Sequence, residues 1–245
     1  MISILVVSTS AIMYGTVTYF RHERWEEYLS LIDTLKIGSR RVVEISLANY
    51  TLSMNSDALK DNLDKWRINL TRAYRGFGIV LRSELANGLY QVYDLNINYS
   101  LGLSFHWHTN VSFSAANVTL RMNITSIGLT GYKFISTPLV KEEILSAVYS
   151  TSDNSLTIKL SLDKEGLVPI TNLPKGSFSL SINVGGQWQS LDFSLRRYYD
   201  SSESVNRFIY ELYSDNLSSQ PSAVSVTAIE NRDIKVAANS TVTQV

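Results

Sequence analysis

Apolar and polar positions follow three different rhythms along this chain. Residues Met1 to Phe20 contain no charged side chain. As a helix this stretch is about 30 Å long, enough to cross the hydrocarbon core of a bilayer. From Arg21 the apolar residues recur at spacings of three and four: Trp25, Tyr28, Leu29, Ile32 and Leu35, with Arg24, Glu26, Glu27 and Asp33 between them. The pattern resumes at Val42, Val43, Ser46 and Leu47, beyond Gly38, a candidate kink. One helix from Met1 to about Asn49 is on the order of 75 Å long. Its apolar stripe needs a partner. A second helix is expected from about Asp57 to Tyr74, capped by Asn55 or Ser56, with Leu59, Leu63, Trp66, Leu70 and Ala73 on one face. Gly76 and Gly78 follow as its stop and as a hinge.

From Ile79 onward the period falls to two. In Asn117 to Thr125, Val118, Leu120, Met122 and Ile124 face one way and the polar residues the other, as in a half-buried antiparallel strand. The same alternation covers Leu95 to Tyr99, Leu156 to Leu162, Phe178 to Val184 and Leu191 to Leu195. Further strands are expected at Phe208 to Tyr213, Val224 to Ala228 and Ile234 to Ala238. Asn87-Gly88, Ser152-Asp153-Asn154, Pro174-Lys175-Gly176 and Gly185-Gly186 separate them as turns. The expected class is α+β: a long N-terminal α-helical stem with a C-terminal β-sandwich head of immunoglobulin-like architecture. Residues 1–75 form the apolar helix and stem. Residues 76–245 form the head, either one sandwich or two β units divided near 136.

The first twenty residues admit three surroundings. A secretory signal would open on a basic region and close on small residues; this stretch opens on Ile2 and leaves through Tyr19-Phe20-Arg21-His22. A permanent membrane anchor is the second reading. The third is a segment that passes through a membrane and then packs against copies of itself. Arg21 and Arg24 would hold the remainder in the cytoplasm by the positive-inside rule. The sugar-acceptor pattern described below argues the opposite, and removal of a basic leader ahead of Met1 resolves the conflict, so a processed chain is expected. Ser3, Ser8, Thr9, Ser10, Gly15, Thr16 and Thr18 permit close helix approach, or bond back to their own helix.

Composition narrows the function by exclusion. The chain has 245 residues, 44% of them hydrophobic, zero formal charge and no cysteine. Zero charge gives no electrostatic footprint for nucleic acid. Without cysteine there is no disulfide, thiol nucleophile or thiolate metal site. The acceptor pattern Asn-x-Ser/Thr occurs at Asn49, Asn69, Asn98, Asn110, Asn117, Asn123, Asn216 and Asn239. Chance gives about three or four such matches at this composition. The excess points to an extracytoplasmic surface bearing N-linked glycans.

Candidate chemistry is sparse. His106-Trp107-His108 places two imidazoles on one face of a strand, within reach of one ion, but no third ligand follows at a recognisable spacing. Glu142 and Glu143 are adjacent, so they point to opposite faces of a strand and do not form a two-carboxylate pair. Arg196-Arg197-Tyr198-Tyr199 is a single basic and aromatic cluster, expected at a strand end or in a loop. There is no phosphate loop, dinucleotide fingerprint, nucleophile elbow or zinc-protease helix. No catalytic, metal or cofactor residue is assigned, and the expectation is a protein that is not an enzyme.

A charge-free N-terminus, a helical stem and a sugar-decorated β head together resemble a type IV pilin of the archaeal kind, a plan shared by archaellins. The bacterial pilin signature has glutamate at the fifth mature position; Leu5 stands there, which turns the likeness towards the archaeal branch. The resemblance implies removal of a leader by a prepilin peptidase and a membrane-inserted precursor. It also implies an extracellular, cell-surface helical homopolymer whose apolar helices form the core and whose heads face outward for surface contact or adhesion. Ile4, Leu5, Val7, Ile12, Gly15, Val17 and Phe20 are then the assembly surface. The rival expectation is a monomeric, membrane-anchored surface glycoprotein, a receptor or a stalk associated with a surface layer.

Overall fold

The computed structural model describes residues 2–75, 79–84, 90–92, 102–124, 129–201 and 207–245, and the side chains of 28–75, 102–124, 130–201 and 207–245. The chain forms two compact units, Met1–Arg40 and Arg41–Val245.

Helix α1 covers Ile2–Ser53 and continues through Gly38. Within the first unit, Leu31, Leu35 and Ser39 are buried while Leu29 and Ile37 are exposed. The buried line therefore runs through Leu31 rather than Leu29. Ile4, Leu5, Val7, Ile12, Gly15, Val17 and Phe20 lie outside the described side chains.

In the second unit the buried residues of α1 are Val42, Val43, Ser46, Leu47, Ala48 and Thr51. Two of them carry hydroxyls, which return to the helix's own carbonyls. Ser46 Oγ donates to Val42 O at 2.6 Å and Thr51 Oγ1 to Ala48 O at 3.1 Å. Met54 adopts a left-handed φ of 55° and its N–H reaches Tyr50 O, ending the helix. Helix α2, Ala58–Ala73, buries Ala58, Leu59, Leu63 and Leu70. Asp57 takes the N-cap position without a side-chain bond, and Asn55 Oδ1 accepts its N–H. Asn62 Nδ2 ties α2 to Ser46 Oγ of α1 at 3.2 Å.

Among the described residues sixteen strands form three sheets. The N-terminal sheet contains β1 (Ile79–Glu84), β2 (Tyr90–Val92), β5 (Val118–Ile124) and β6 (Leu129–Ser136), ordered β2-β1-β5-β6. The large sheet has β3 (Leu103–His106), β4 (Val111–Ala116), β7 (Leu139–Ser150), β8 (Ser155–Lys164), β12 (Ser194–Asp200) and β13 (Arg207–Ser214) in the order β12-β13-β8-β7-β4-β3. Two short strands extend it: β9 (Val168–Pro169) beside β8, and the C-terminal β16 (Thr243–Gln244), parallel to β7. The C-terminal sheet has β10 (Phe178–Val184), β11 (Gln187–Leu191), β14 (Ala223–Ile229) and β15 (Lys235–Thr241), ordered β11-β10-β14-β15. Alternation decides which side chains enter the core. Leu156, Ile158, Leu160 and Leu162 are fully buried, as are Val224, Val226 and Val236. Gly185 and Gly186, at φ 61° and 88°, close the β10–β11 hairpin with two positive φ angles that suit the strand twist.

Two expectations need correction. The class is not α+β with a helical stem carrying a separate immunoglobulin-like head. Sixteen strands against two α-helices among the described residues make the protein mostly β, with a sandwich-like body. Among the residues whose side chains are described, which exclude Met1 to Phe20, no helix is long and apolar enough to cross a membrane. Arg41 onward, including the end of α1 and all of α2, belongs to one compact unit with the sheets. Helical periodicity shows that a helix needs a partner, but not that the partner is a sheet of the same chain. The second correction concerns Leu191 to Leu195. Leu191 ends β11 in the C-terminal sheet and Leu195 lies in β12 of the large sheet. Between them Phe193 is buried and Lys175 Nζ holds Asp192 at 2.7 Å, so the alternating stretch is a crossing between sheets.

Position 136 is the last residue of β6. Strands β3 and β4, which precede it, nevertheless pair into the large sheet with β7, which follows it. The alternation at Leu95 to Tyr99 and the turn Asn87-Gly88 lie outside the described residues.

Candidate functional site

The polar and aromatic groups of the second unit converge where the end of α1 meets the β14–β15 turn and the β3–β4 loop. Glu230 N–H donates to Ile234 O and Asp233 N–H to Glu230 O, and Asp233 takes φ 62°. This tight turn projects Arg232 into a nest of acceptors. Its Nε lies 2.6 Å from Glu230 Oε1, and its Nη1 lies 2.8 Å from Glu165 Oε1 and 3.3 Å from Glu44 Oε1 of α1. Nη2 donates to Leu139 O at 3.3 Å. One guanidinium thereby gathers three carboxylates from α1, the β8–β9 turn and its own turn. Such charge-assisted forks are the strongest protein hydrogen bonds.

The electrostatics follow burial. Glu230 is raised from its ordinary range chiefly by desolvation, against the pull of Arg232. Burial also pushes Glu165 upward, but its hydrogen bond to Arg232 and the nearby positive charge outweigh this and leave it lowered. Arg232 is held protonated: desolvation opposes its charge, and Glu165 and Glu230 more than offset that. The cluster is a structural clamp. It holds one guanidinium among three carboxylates.

Beside the clamp lies an aromatic and hydroxyl relay. Tyr50 of α1 and Phe105 of β3 have ring centres 5.4 Å apart, and Phe105 and Trp107 lie 4.3 Å apart. Trp107 Nε1 donates to Ser114 Oγ at 2.9 Å, and Ser114 Oγ donates onward to Lys235 O at 2.6 Å. Lys235 N–H reaches Thr51 Oγ1 of α1 at 3.1 Å, and its Nζ sits 5.1 Å above the Trp107 ring. His108 N–H donates to Ala237 O and Asn239 N–H to Thr109 O, so the β3–β4 loop lies along the outer edge of β15.

The residues singled out from the sequence are dispersed. Strand β3 ends at His106, which stacks on Phe113 at 5.8 Å. His108 has turned to φ 66° and meets the edge of Trp107 at 6.4 Å. The left-handed residue breaks the alternation that was to place both imidazoles on one face. Among the described residues no group of three His, Cys, Asp or Glu is arranged to hold a metal ion. Glu142 and Glu143 do face opposite ways. Glu142 is completely buried opposite Ser112 and Leu162, and neither of its carboxyl oxygens has a hydrogen-bond partner. Glu143 pairs with Lys141 at 2.9 Å and Arg207 at 3.5 Å on the other face. Arg196 to Tyr199 lie within β12, at the edge of the large sheet, rather than in a loop.

The acceptor asparagines separate by environment. Asn49, Asn69, Asn110, Asn117 and Asn216 are exposed, Asn123 and Asn239 are half-buried, and Asn98 lies outside the described residues. The hydroxyl two residues on differs more. Thr51 and Ser112, the partners of Asn49 and Asn110, are fully buried and hydrogen-bonded. Ser218 and Thr71 are exposed, and Thr119 is half-buried. Asn123 Oδ1 is engaged by Gly131 N–H at 2.7 Å.

Sequence reasoning missed Glu44, Glu165, Glu230 and Arg232. The only signal was the run Glu230-Asn231-Arg232-Asp233, whose composition marks a turn but names no partner. No protein-family model matches this chain, and no curated protein does either.

Proposed function

We propose that this protein is a structural subunit of an extracellular, type IV pilus-like filament of the archaeal kind. It self-assembles through its apolar N-terminal segment and presents a β body decorated with N-linked glycans for surface contact or adhesion. It acts by assembly rather than by turnover, as a homopolymer drawn from a membrane-inserted precursor. One observation carries the reading: Met1 to Phe20 contain no charged residue over about 30 Å of helix. Such a segment is as poorly placed in water as in any hydrated surface, and a bundle of its copies removes it from both at little desolvation cost. Contacts related by a screw operation do not close, so they propagate as a fibre. The exposed acceptors Asn69, Asn117 and Asn216 lend support, since glycans on them would meet solvent.

Electron microscopy of native material tests this reading. Helical fibres are expected from the native chain, and Gly15→Trp and Val7→Asp are each expected to abolish them while the β body stays folded by circular dichroism. Single detergent-bound particles from the native chain would establish the anchored monomeric glycoprotein instead. Normal fibres from both variants would remove Met1 to Phe20 as the packing surface.

A further inference from the structure

The C-terminal sheet turns Leu180, Ile182, Val224, Val226, Val236 and Ala238 inward, where all are buried. Its outward face is set by the same register. Ser190, Ser181, Ser225 and Asn239 form one row across the four strands. Trp188, Asn183, Ala223 and Thr241 form the row on one side, and Ser179 and Thr227 the row on the other, which ends at buried Ala237. These three rows carry no charge; Lys235 stands beyond them, opposite Ile229. Neighbouring strands are about 4.8 Å apart and same-face residues about 7 Å apart along a strand, so the hydroxyls and amides form a regular lattice.

Three features mark this lattice as more than a solvated surface. The hydroxyls of Ser179, Ser181, Ser190, Ser225 and Thr227 make no hydrogen bond within the described residues. Trp188, at one corner, is 49% exposed, a large apolar area left in water. Asn183 Oδ1 accepts from Gly186 N–H and Ser222 Oγ, and its amide N–H groups make no hydrogen bond among the described residues.

We propose that this face binds a neutral oligosaccharide. The chemistry selects that class. A charged ligand would lose hydration with no counter-charge to replace it. A nucleic acid would need basic residues that the face lacks. An extended peptide would pair with a strand edge rather than lie across a face. A neutral sugar chain offers many hydroxyls, each matched by a side chain that both donates and accepts, and an apolar ring face to lie on Trp188. The inference does not depend on whether the chain polymerises.

The test uses the full chain, as filaments or in detergent, with neutral gluco-, manno- and galacto-hexaoses and with sialylated and sulfated oligosaccharides, followed by titration calorimetry. At least one neutral hexaose is expected to bind, and Trp188→Ala and Ser181→Asp are each expected to weaken it about tenfold or more. The melting temperature of Trp188→Ala and its appearance by electron microscopy are expected to match those of the native chain. The proposal is overturned by absence of binding to every neutral hexaose at millimolar concentration, by tighter binding of the acidic sugars, or by unchanged affinity in both variants. Loss of fibres in Trp188→Ala would reassign the face to subunit contact. A glycan found attached at Asn239 would make the chain's own sugar the occupant.

Discussion

Arg232 Nη1 lies 3.3 Å from Glu44 Oε1, across 188 positions of sequence. The contact joins the last third of α1 to a turn between the final two strands of the C-terminal sheet. The same guanidinium holds Glu165 and Glu230, so the helix, the β8–β9 turn and the β14–β15 turn share one cation. The end of α1 is thus bound to the sandwich through the polar groups of Glu44 and Thr51.

Replacing Arg232 by methionine is expected to destabilise the folded body by about 3 kcal/mol in urea unfolding. The loss comes from the carboxylates left behind rather than from the missing attraction. Glu230 keeps only 6% of its side chain in water and would face Glu165 without a counter-ion. Arg232→Lys should recover part of the loss, since an ammonium restores charge but cannot span three carboxylates and a carbonyl. Equal stability of the methionine variant and the native chain would show that the clamp contributes nothing.

Glu142 is expected to make stability fall as pH rises. Desolvation by complete burial raises its carboxyl well above the ordinary 4.5, and the Ala238 N–H, too poorly placed to make a hydrogen bond, gives only a smaller opposing pull. The folded state therefore keeps a proton that the unfolded chain has released, and unfolding liberates it. Its contribution is fully present below about pH 4.5 and is lost as pH rises towards the folded value. Glu142→Gln should be the more stable protein at pH 8, by about 1–2 kcal/mol, with the gap closing towards pH 4. Glu165 and Glu143 are lowered and act in the opposite sense, losing their contribution as pH falls, so the difference between variant and native chain is the quantity to measure. A gap that is constant with pH would mean that Glu142 does not titrate on unfolding.

Sugar occupancy, if the chain is glycosylated after folding, is expected to favour Asn69, Asn117 and Asn216 over Asn49 and Asn110. The recognising enzyme must reach the hydroxyl two residues on as well as the amide. Thr51 is buried and bonded to Ala48 O and Lys235 N–H, and Ser112 is buried and bonded to Thr109. Glycopeptide mass spectrometry of native material reads this directly. High occupancy at Asn49 and Asn110 would place modification before folding.

Local alternation made much of the sandwich legible. Val118, Leu120, Met122 and Ile124 of β5 and the four leucine and isoleucine positions of β8 are buried as their period of two requires. Gly185-Gly186 is the hairpin turn that its composition demands. Periodicity assigns a face but not a neighbour, so the pairing of β4 with β7 across position 136 and the crossing at Asp192-Phe193 were not legible. Nor was the break at His108, since a left-handed residue other than glycine leaves little trace in sequence. The clamp was hidden for the same reason: a single guanidinium meets carboxylates from three distant segments, and no local pattern records such a meeting.

The relay through Ser114 gives the sharpest test of how β4 and β15 are held together. Its hydroxyl accepts from Trp107 Nε1 and donates to Lys235 O, so one side chain satisfies a buried donor and a backbone acceptor on two other elements. Ser114→Ala removes both bonds at once, and the cost is that of the stranded indole N–H and carbonyl, about 2–3 kcal/mol. Trp107→Phe removes the indole N–H but leaves Ser114 free to donate to Lys235 O, so its loss is mainly of ring contact with Phe105 and of the cation above it. If the hydroxyl acts as a relay, the double variant should lose less than the sum of the two, because the N–H stranded by the first change is absent after the second. Strict additivity in a double-mutant cycle of urea unfolding would show that the indole and the serine act independently, and that ring packing alone fixes Trp107.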